Sequence, residues 1–446
     1  MDNTVKAASK ESVEKKQENS LISFLVKPIS SRFAVIIITV DPELVTIVYR
    51  ETIELFRKKI FSGFKKETVP AEYIEENFET EIQNNVKDYL LRYTVIKYLF
   101  DQIIIRKIHL SNYPRLKKIE ISPDKSIRYS FNISLVDPLE LKEWKHFSFK
   151  SPKRKKYKDL DKQVIAFVNK ESIPERKLNV DTVEENDWIC FNAMLTGRDG
   201  RVLEKEIAGD FWMRIKKQEI LDPYQNVFLG KKLYQSFYTD CLAIRDEPFN
   251  EYDNYRYNFL VTIKALVKGT YMSLESLKNY FKLKNKTEIH NKLMEVFSYR
   301  DDISQRKSII EELFHLFLSK HRFEVPKHLV LRRQEDILES IMEQPDFQVY
   351  KAQKDFESCI EMLAEKQLKE EILIDKIAYQ ESIKVDLRDV QYYLHLFNNR
   401  RLREFVYFKP LIEKIDSVNT ALHASILKQT VLREKTLNSV IHSLTR

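Results

Sequence analysis

The spacing of apolar residues changes along the chain, and the changes divide it into regions. Between Ser126 and Leu135 the spacing alternates. Ile127, Tyr129, Phe131, Ile133 and Leu135 fall on one side, as in a strand with its other face in water. Residues 22–27 and 31–40 also read as strands, the second dense in Val and Ile, with Pro28 and the serines marking the turn between them. Asp41-Pro42 has the form of a helix start, with an acceptor side chain at the N-cap and proline at the first helical position. Leu44, Val48, Leu55 and Phe56 then recur at near-helical spacing. A second helix is predicted from Pro70 to Phe100, where Phe78, Ile82, Val86, Tyr89, Tyr93, Ile96 and Phe100 share a face. Residues 103–110 are predicted as a strand, so that 21–135 runs β–β–α–loop–α–β–β.

From 136 to 180 the pattern is lost. Pro138, Pro152 and Pro174 punctuate a linker or arm whose basic centre is Lys150-Ser-Pro-Lys-Arg-Lys-Lys-Tyr-Lys158, followed by a helical stretch at 160–169. That run reads as a solvated linker, with a second RNA contact or a localisation signal as the alternatives. Residues 181–270 are β-rich: Asp187 to Gly200 is a strand followed by a hairpin turn at Arg198-Asp-Gly200, and Tyr257 to Val267 is a closing strand. From 271 to 446 the pattern is helical. Ser273, Ser304 and Asp386 stand at helix starts, Pro326 and Pro345 at breaks, and a very long helix is predicted over 347–382. Arg400–Phe405 and Ser417–Leu444 are predicted as the last helices. The fold class expected is α+β multidomain: an α/β domain at 21–135, a small β-rich domain at 181–270, and an elongated all-α domain at 271–446. Residues 1–20, charged and polar, read as a disordered tail.

Composition removes several function classes. Hydrophobic residues are 43% and charged residues 32%, ordinary for a chain with a core. The net charge of +8 suits contact with RNA or an acidic surface without requiring it. Cys190, Cys241 and Cys359 are odd in number and far apart, which speaks for a reducing compartment and against a disulfide framework. No Cys or His stands at metal-ligand spacing, and no Gly-x-x-x-x-Gly-Lys-[Ser/Thr] motif is present, so neither metal, cofactor nor nucleotide is expected. No apolar segment follows a basic start as in a signal peptide, and no window is apolar for about 18 residues. A cytoplasmic protein with no membrane contact is the expectation.

One stretch carries candidate binding chemistry. Arg57-Lys-Lys-Ile-Phe-Ser-Gly-Phe-Lys-Lys-Glu-Thr-Val-Pro70 lies between two predicted helices. Gly63 is one of 6 glycines in 446 residues, and glycine adopts positive φ without a Cβ penalty. Phe64, Lys65 and Lys66 follow it, and Pro70 sets the first turn of the next helix. A helix hairpin tipped by a ring and two ammonium groups can take phosphates on the lysines and an apolar or stacking contact on the ring.

Gly63-Phe64-Lys65-Lys66, two residues, then Val69-Pro70 resembles the ribosome-docking signature of trigger factor, the bacterial nascent-chain chaperone, which reads Gly-Phe-Arg-x-Gly-Lys-x-Pro. Lys65 replaces the arginine, and Glu67 and Thr68 stand where that family has Gly-Lys. The resemblance implies a ribosome-binding site at Gly63, Phe64, Lys65, Lys66 and Pro70. It extends to the element order of 21–135 and to the helical layout of the C-terminal region. It implies that 181–270 is an FKBP-type peptidyl-prolyl isomerase domain, on Trp188-Ile-Cys-Phe191, Asp199-Gly200 and Leu221-Asp-Pro-Tyr224, although most of the family's glycines are missing. Such a site is an apolar pocket that strips water from an X-Pro carbonyl and favours the twisted amide over a barrier of about 20 kcal/mol. Carried over, the pocket is Phe191, Phe211, Leu221, Tyr224 and Phe259, with Tyr252 less secure; the same rings serve equally well as sheet core.

The function so implied is an ATP-independent chaperone on the ribosome that holds nascent polypeptides and supports their folding and export. Its partners are the ribosome near the tunnel exit and unfolded chains. A weak homodimer off the ribosome, and turnover by the isomerase, stay open. Two alternatives stand beside it: an enzyme that is first a prolyl isomerase, and an RNA-binding scaffold driven by Lys65-Lys66 and Lys153-Arg154-Lys155-Lys156.

Overall fold

A computed structural model of the chain describes residues 21–30, 32–57, 63–65, 68–108, 110, 114–135, 139–153, 156–171, 181–197, 199–204, 208–215, 223–240, 242, 257–269, 273–297, 304–342, 346–399, 401–409 and 422–445. The N-terminal stretch 1–20 lies outside them.

Strands β1 (Ile22–Pro28), β2 (Phe33–Val40), β3 (Arg115–Ile121) and β4 (Ile127–Ser134) form an antiparallel sheet in the order β1-β2-β4-β3. Ile36 stands opposite Phe131 and Ile38 opposite Tyr129, so the alternating residues of both central strands reach one buried face. Helices α1 (Pro42–Arg57) and α2 (Ala71–Leu90) cover that face with Leu44, Val48, Phe56, Ile82 and Val86. Asp41 starts α1 as predicted, its Oδ1 accepting from the Glu43 amide at 2.9 Å.

Beyond Leu90 the helix continues through one π turn (Leu91–Val95) into α3 (Ile96–Ile105). The strand predicted at 103–110 therefore does not form. Leu99 and Ile103 share the buried stripe of α3, and that packing overrides the β preference of the isoleucine run. The helix ends in a Schellman motif: the Ile108 amide donates to the Ile103 carbonyl at 3.0 Å and the Lys107 amide to Ile104 at 3.2 Å. Lys107 takes the left-handed position, φ +52, where glycine is usual. The same device recurs at Lys282 (φ +53) and Ser382 (φ +50), as fits a chain with so few glycines.

After helix α4 (Leu160–Glu171) comes a second antiparallel sheet. It contains β5 (Trp188–Leu195), β6 (Ala208–Arg214), β7 (Ser236–Thr239), β8 (Phe259–Val267) and the two-residue β9 (Leu422–His423), in the order β7-β8-β5-β6-β9. The turn after β5 is closed by the Gly197 amide on the Arg201 carbonyl at 2.9 Å, with Gly200 at φ +77. A bulge at Lys264 shifts the β5–β8 register between Cys190 and Phe191. In consequence Phe259, Val261 and Ile263 face the N-terminal domain, whereas Ala265 and Val267 face the helices that follow. Buried on both sides, this sheet shares one core with the N-terminal helices and another with the C-terminal ones.

The helical region comprises α5 (Leu274–Phe281), α6 (Lys286–Met294), α7 (Gln305–Lys320), α8 (Lys327–Met342), α9 (Phe356–Gln380), α10 (Leu387–Asn398) and α11 (Ala424–Leu444). Ser273 and Ser304 cap as predicted, and Asp386 forms a reciprocal capping box with Asp389. The single helix predicted over 347–382 is divided. Phe347–Lys351 makes one turn, and α9 begins at Phe356. Val349 and Tyr350 are exposed, so no packing holds a helix together across that segment. Arg400–Phe405 shortens to a 3₁₀ turn at Leu402–Phe405. The last helix starts at Ala424 because Leu422 and His423 are extended, paired with Trp212 and Phe211 of β6. Salt bridges from Arg333 to Glu371 (2.9 Å), Arg433 to Glu371 (2.8 Å) and Arg433 to Asp375 (2.8 Å) tie α8, α9 and α11 together. Among the described residues no helix is long and apolar enough to cross a membrane, and no group of His, Cys, Asp and Glu could hold a metal ion.

Candidate functional site

The basic loop sits at the tip of the α1–α2 hairpin. Gly63 has φ +89 and nothing within 4 Å of where a Cβ would point. Gly63 and Lys65 are exposed, while Phe64 is half-buried with its ring 4.9 Å from that of Tyr73 on α2. Thr68 turns the chain back: its amide and hydroxyl both donate to the Lys65 carbonyl, at 3.1 and 2.7 Å. Val69 is fully buried, and its carbonyl accepts from Arg57 Nε at 3.0 Å. Arg57 is steadied by Glu54 at 3.0 Å. Pro70 is exposed and stands just before α2, at the N-cap rather than inside the first turn. Lys66 and Glu67 lie outside the described residues. The base of the loop is thus pinned by Val69 and Arg57, while its tip offers an ammonium group and part of a ring to solvent. Sequence reasoning missed Arg57, Val69 and Tyr73. No local pattern announces a side chain that reaches twelve residues along to a backbone carbonyl.

The rings proposed for an isomerase pocket are placed differently. Phe191, Phe211 and Phe259 are buried on the sheet face that meets the N-terminal helices. Phe191 packs on Phe211 (5.7 Å between centroids) and Phe228 (4.8 Å); Phe259 packs on Tyr93 (5.1 Å) and Tyr89 (6.3 Å). His423 covers Phe211 at 4.5 Å. These rings fill a shared core among the described residues. Tyr89 at the end of α2 and Tyr93 in the π turn stand against Phe259, and Tyr93 also meets Phe211 edge-on at 6.1 Å. Tyr224 falls in a one-turn helix, Pro223–Asn226, and Leu221 and Tyr252 lie outside the described residues.

Two groups in this core have unusual chemistry. The Tyr89 hydroxyl is buried with no hydrogen-bond partner, and burial raises its pKa. His423 Nε2 donates to the Arg92 carbonyl. Burial first, opposed by that hydrogen bond, moves its pKa down to about 4. A neutral ring donates to the carbonyl, and His423 thereby fastens β9 to the π turn of the N-terminal domain.

An α/β domain with an exposed hairpin tip, joined through a two-faced sheet to a set of long helices, defines a multidomain α+β protein. Comparison with known proteins names the family it resembles. Residues 23–166, which include the loop, match the family described as Bacterial trigger factor protein. The trigger factor of Pelagibacter ubique is 23% identical over 90% of this chain and 81% of its own. That of Geobacter metallireducens is 20% identical over 87% and 90%, and that of Geotalea daltonii 22% over 76% and 78%. A solved structure of the trigger factor chaperone aligns with 94% of this chain and 100% of its own, at 14% identity and a TM-score of 0.35. The chain is similar to trigger factors along most of its length.

Proposed function

We propose that this protein is a ribosome-associated chaperone that holds nascent polypeptides without ATP. The observation that carries the reading is the hairpin tip, pinned at Arg57 and Val69, which leaves Lys65 and part of Phe64 in solvent within the segment that matches trigger factor. A cation at a fixed position can meet backbone phosphate, and an adjacent ring adds an apolar or stacking contact. The helical region supports the holding role. Leu331, Met342, Val349, Tyr350 and Met362 are large apolar side chains left exposed on α8, α9 and the turn between them. Scattered apolar groups on a polar surface hold unfolded segments weakly and with little sequence preference.

The chain works in the cytoplasm, and its partners are the ribosome near the tunnel exit and emerging polypeptides. The sheet at 181–270 serves here as a scaffold between the two ends, since Tyr89 and Tyr93 cover the rings an isomerase would use. Co-sedimentation with ribosomes tests the docking role. Phe64→Ala/Lys65→Ala/Lys66→Ala abolishes pelleting and leaves circular dichroism unchanged; equal pelleting of the two proteins refutes the reading. A proline-limited refolding assay tests the scaffold role. The full chain suppresses aggregation of the substrate but leaves the slow phase, tens of seconds at 25 °C, unaccelerated.

A further inference from the structure

A cleft of about 510 Å³ opens where α5, α6, α7, α10 and α11 converge. Its walls are partly aromatic. The Tyr280 ring lies 4.9 Å from that of Phe281 and 5.8 Å from that of Tyr392. Its charge is net positive: Lys282, Lys292, Lys384, Lys435 and Arg306 line it with the carboxylates of Glu295 and Asp389, and Glu434 beneath pairs with Arg306, so the surplus lies in the rim lysines. Both carboxylates are engaged by cations, Glu295 with Lys292 at 2.8 Å and Asp389 with Lys435 at 2.6 Å. Lys282 and Lys384 stay exposed at the rim.

The floor holds a built but unfinished donor. Arg306 is 1% exposed, and its Nη2 donates to Asn438 (2.6 Å), Glu434 (3.2 Å) and the Phe405 carbonyl (3.3 Å). Its buried Nε has no acceptor. A buried N–H without an acceptor is unfavourable, and it leaves the guanidinium with hydrogen-bonding capacity that Asn438, Glu434 and Phe405 do not use. Lys292 beside it is largely buried as well, and burial draws its pKa down, a state that an added negative charge would relieve. The basic run of the linker also belongs to this place. Ser151 lines the cleft, Gln305 Nε2 donates to the Pro152 carbonyl at 3.0 Å, and Lys150 and Lys153, on either side of them in sequence, are exposed.

We propose that this cleft binds an acidic peptide segment, with a Glu or Asp carboxylate entering between the rim lysines toward Arg306 and apolar neighbours lying on the rings of Tyr280 and Tyr392. Peptide fits better than nucleic acid. The aromatic walls between the rim lysines accept apolar side chains, which suits carboxylates spaced by apolar residues rather than a continuous phosphate backbone. The site is separate from the hairpin tip and is tested on the free full-length chain, so its failure leaves ribosome docking untouched, and the reverse.

The test uses fluorescence anisotropy with a labelled peptide alternating Glu and Leu, its Gln counterpart, and a single-stranded RNA of mixed sequence. The Glu peptide binds, the Gln peptide binds at least about tenfold more weakly, and Lys282→Glu/Lys384→Glu lowers affinity for the Glu peptide by about tenfold or more. Both lysines are exposed, so the variant keeps its fold, which circular dichroism checks. Raising salt from about 50 to 300 mM weakens the Glu peptide alone. Equal affinity for the two peptides, indifference of the Glu peptide to the double change, or displacement of the Glu peptide by RNA at equal concentration each overturns the assignment.

Discussion

His423 makes the seam between the first and last parts of the chain sensitive to acid. It sits in β9, covers Phe211 and meets the Arg92 carbonyl, so three regions depend on one neutral ring. Burial lowers its pKa to about 4, with Lys97 lowering it further and the Arg92 hydrogen bond and Asp210 opposing. An unfolded histidine titrates near 6.5. The folded state thus binds a proton later than the unfolded state as pH falls. The stabilisation is complete above about 6.5 and is lost progressively toward 4. At 1.36 kcal/mol for each unit of pKa difference, moving from pH 7 to 4.5 removes about 2 kcal/mol through this group alone. Other groups titrate in the same window. Glu370, held up to about 7 chiefly by burial, works in the opposite sense, favouring the fold in acid and losing that contribution as pH rises through 7. The measurement is therefore a double difference: urea unfolding of wild type and His423→Gln at pH 7 and 4.5, followed by fluorescence of the buried Trp188 and Trp212 in the same sheet. Glutamine keeps a donor and cannot ionise. Wild type should lose about 2 kcal/mol more than the variant between the two pH values. Equal losses would mean that His423 is solvated when folded, and would falsify the account of the seam.

Three further changes probe the fold. Tyr89→Phe removes a buried hydroxyl that has no partner while keeping the ring, and should raise stability by about 1 kcal/mol in chemical denaturation. Ser382→Gly relieves a left-handed residue at the end of α9 and should stabilise by roughly 1 kcal/mol, whereas an alanine there should not. Glu434→Ala strands the buried Arg306 charge and the amides of Tyr407 and Phe408, which now donate to Glu434 at 2.8 and 3.0 Å; a loss of about 3–5 kcal/mol is expected by thermal and urea unfolding.

Several elements were legible in the sequence because their signals are local. Alternation at Ile127–Leu135, the Asp41-Pro42 start, the caps at Ser273, Ser304 and Asp386 and the glycine turn at Gly63 each depend on neighbours a few residues away. The candidate loop belongs with them, since a rare glycine, a ring and two lysines between helices can be seen without coordinates. What the sequence could not show is where distant segments meet. The isoleucines at 103–105 favour a strand by propensity, but helix packing decided otherwise. Leu422 and His423 read as part of a helix beginning at Ser417 until β6 offers them an edge to pair with. Phe191, Phe211 and Phe259 suit a pocket or a core equally well by type and spacing; Phe228 against Phe191, and Tyr89 and Tyr93 against Phe259 and Phe211, made them core. By itself, then, the sequence determined which residues prefer strand, helix and turn and which tip carries charge. The tertiary structure alone decided what each apolar face is buried against, because burial depends on contacts that the chain brings together from hundreds of residues apart.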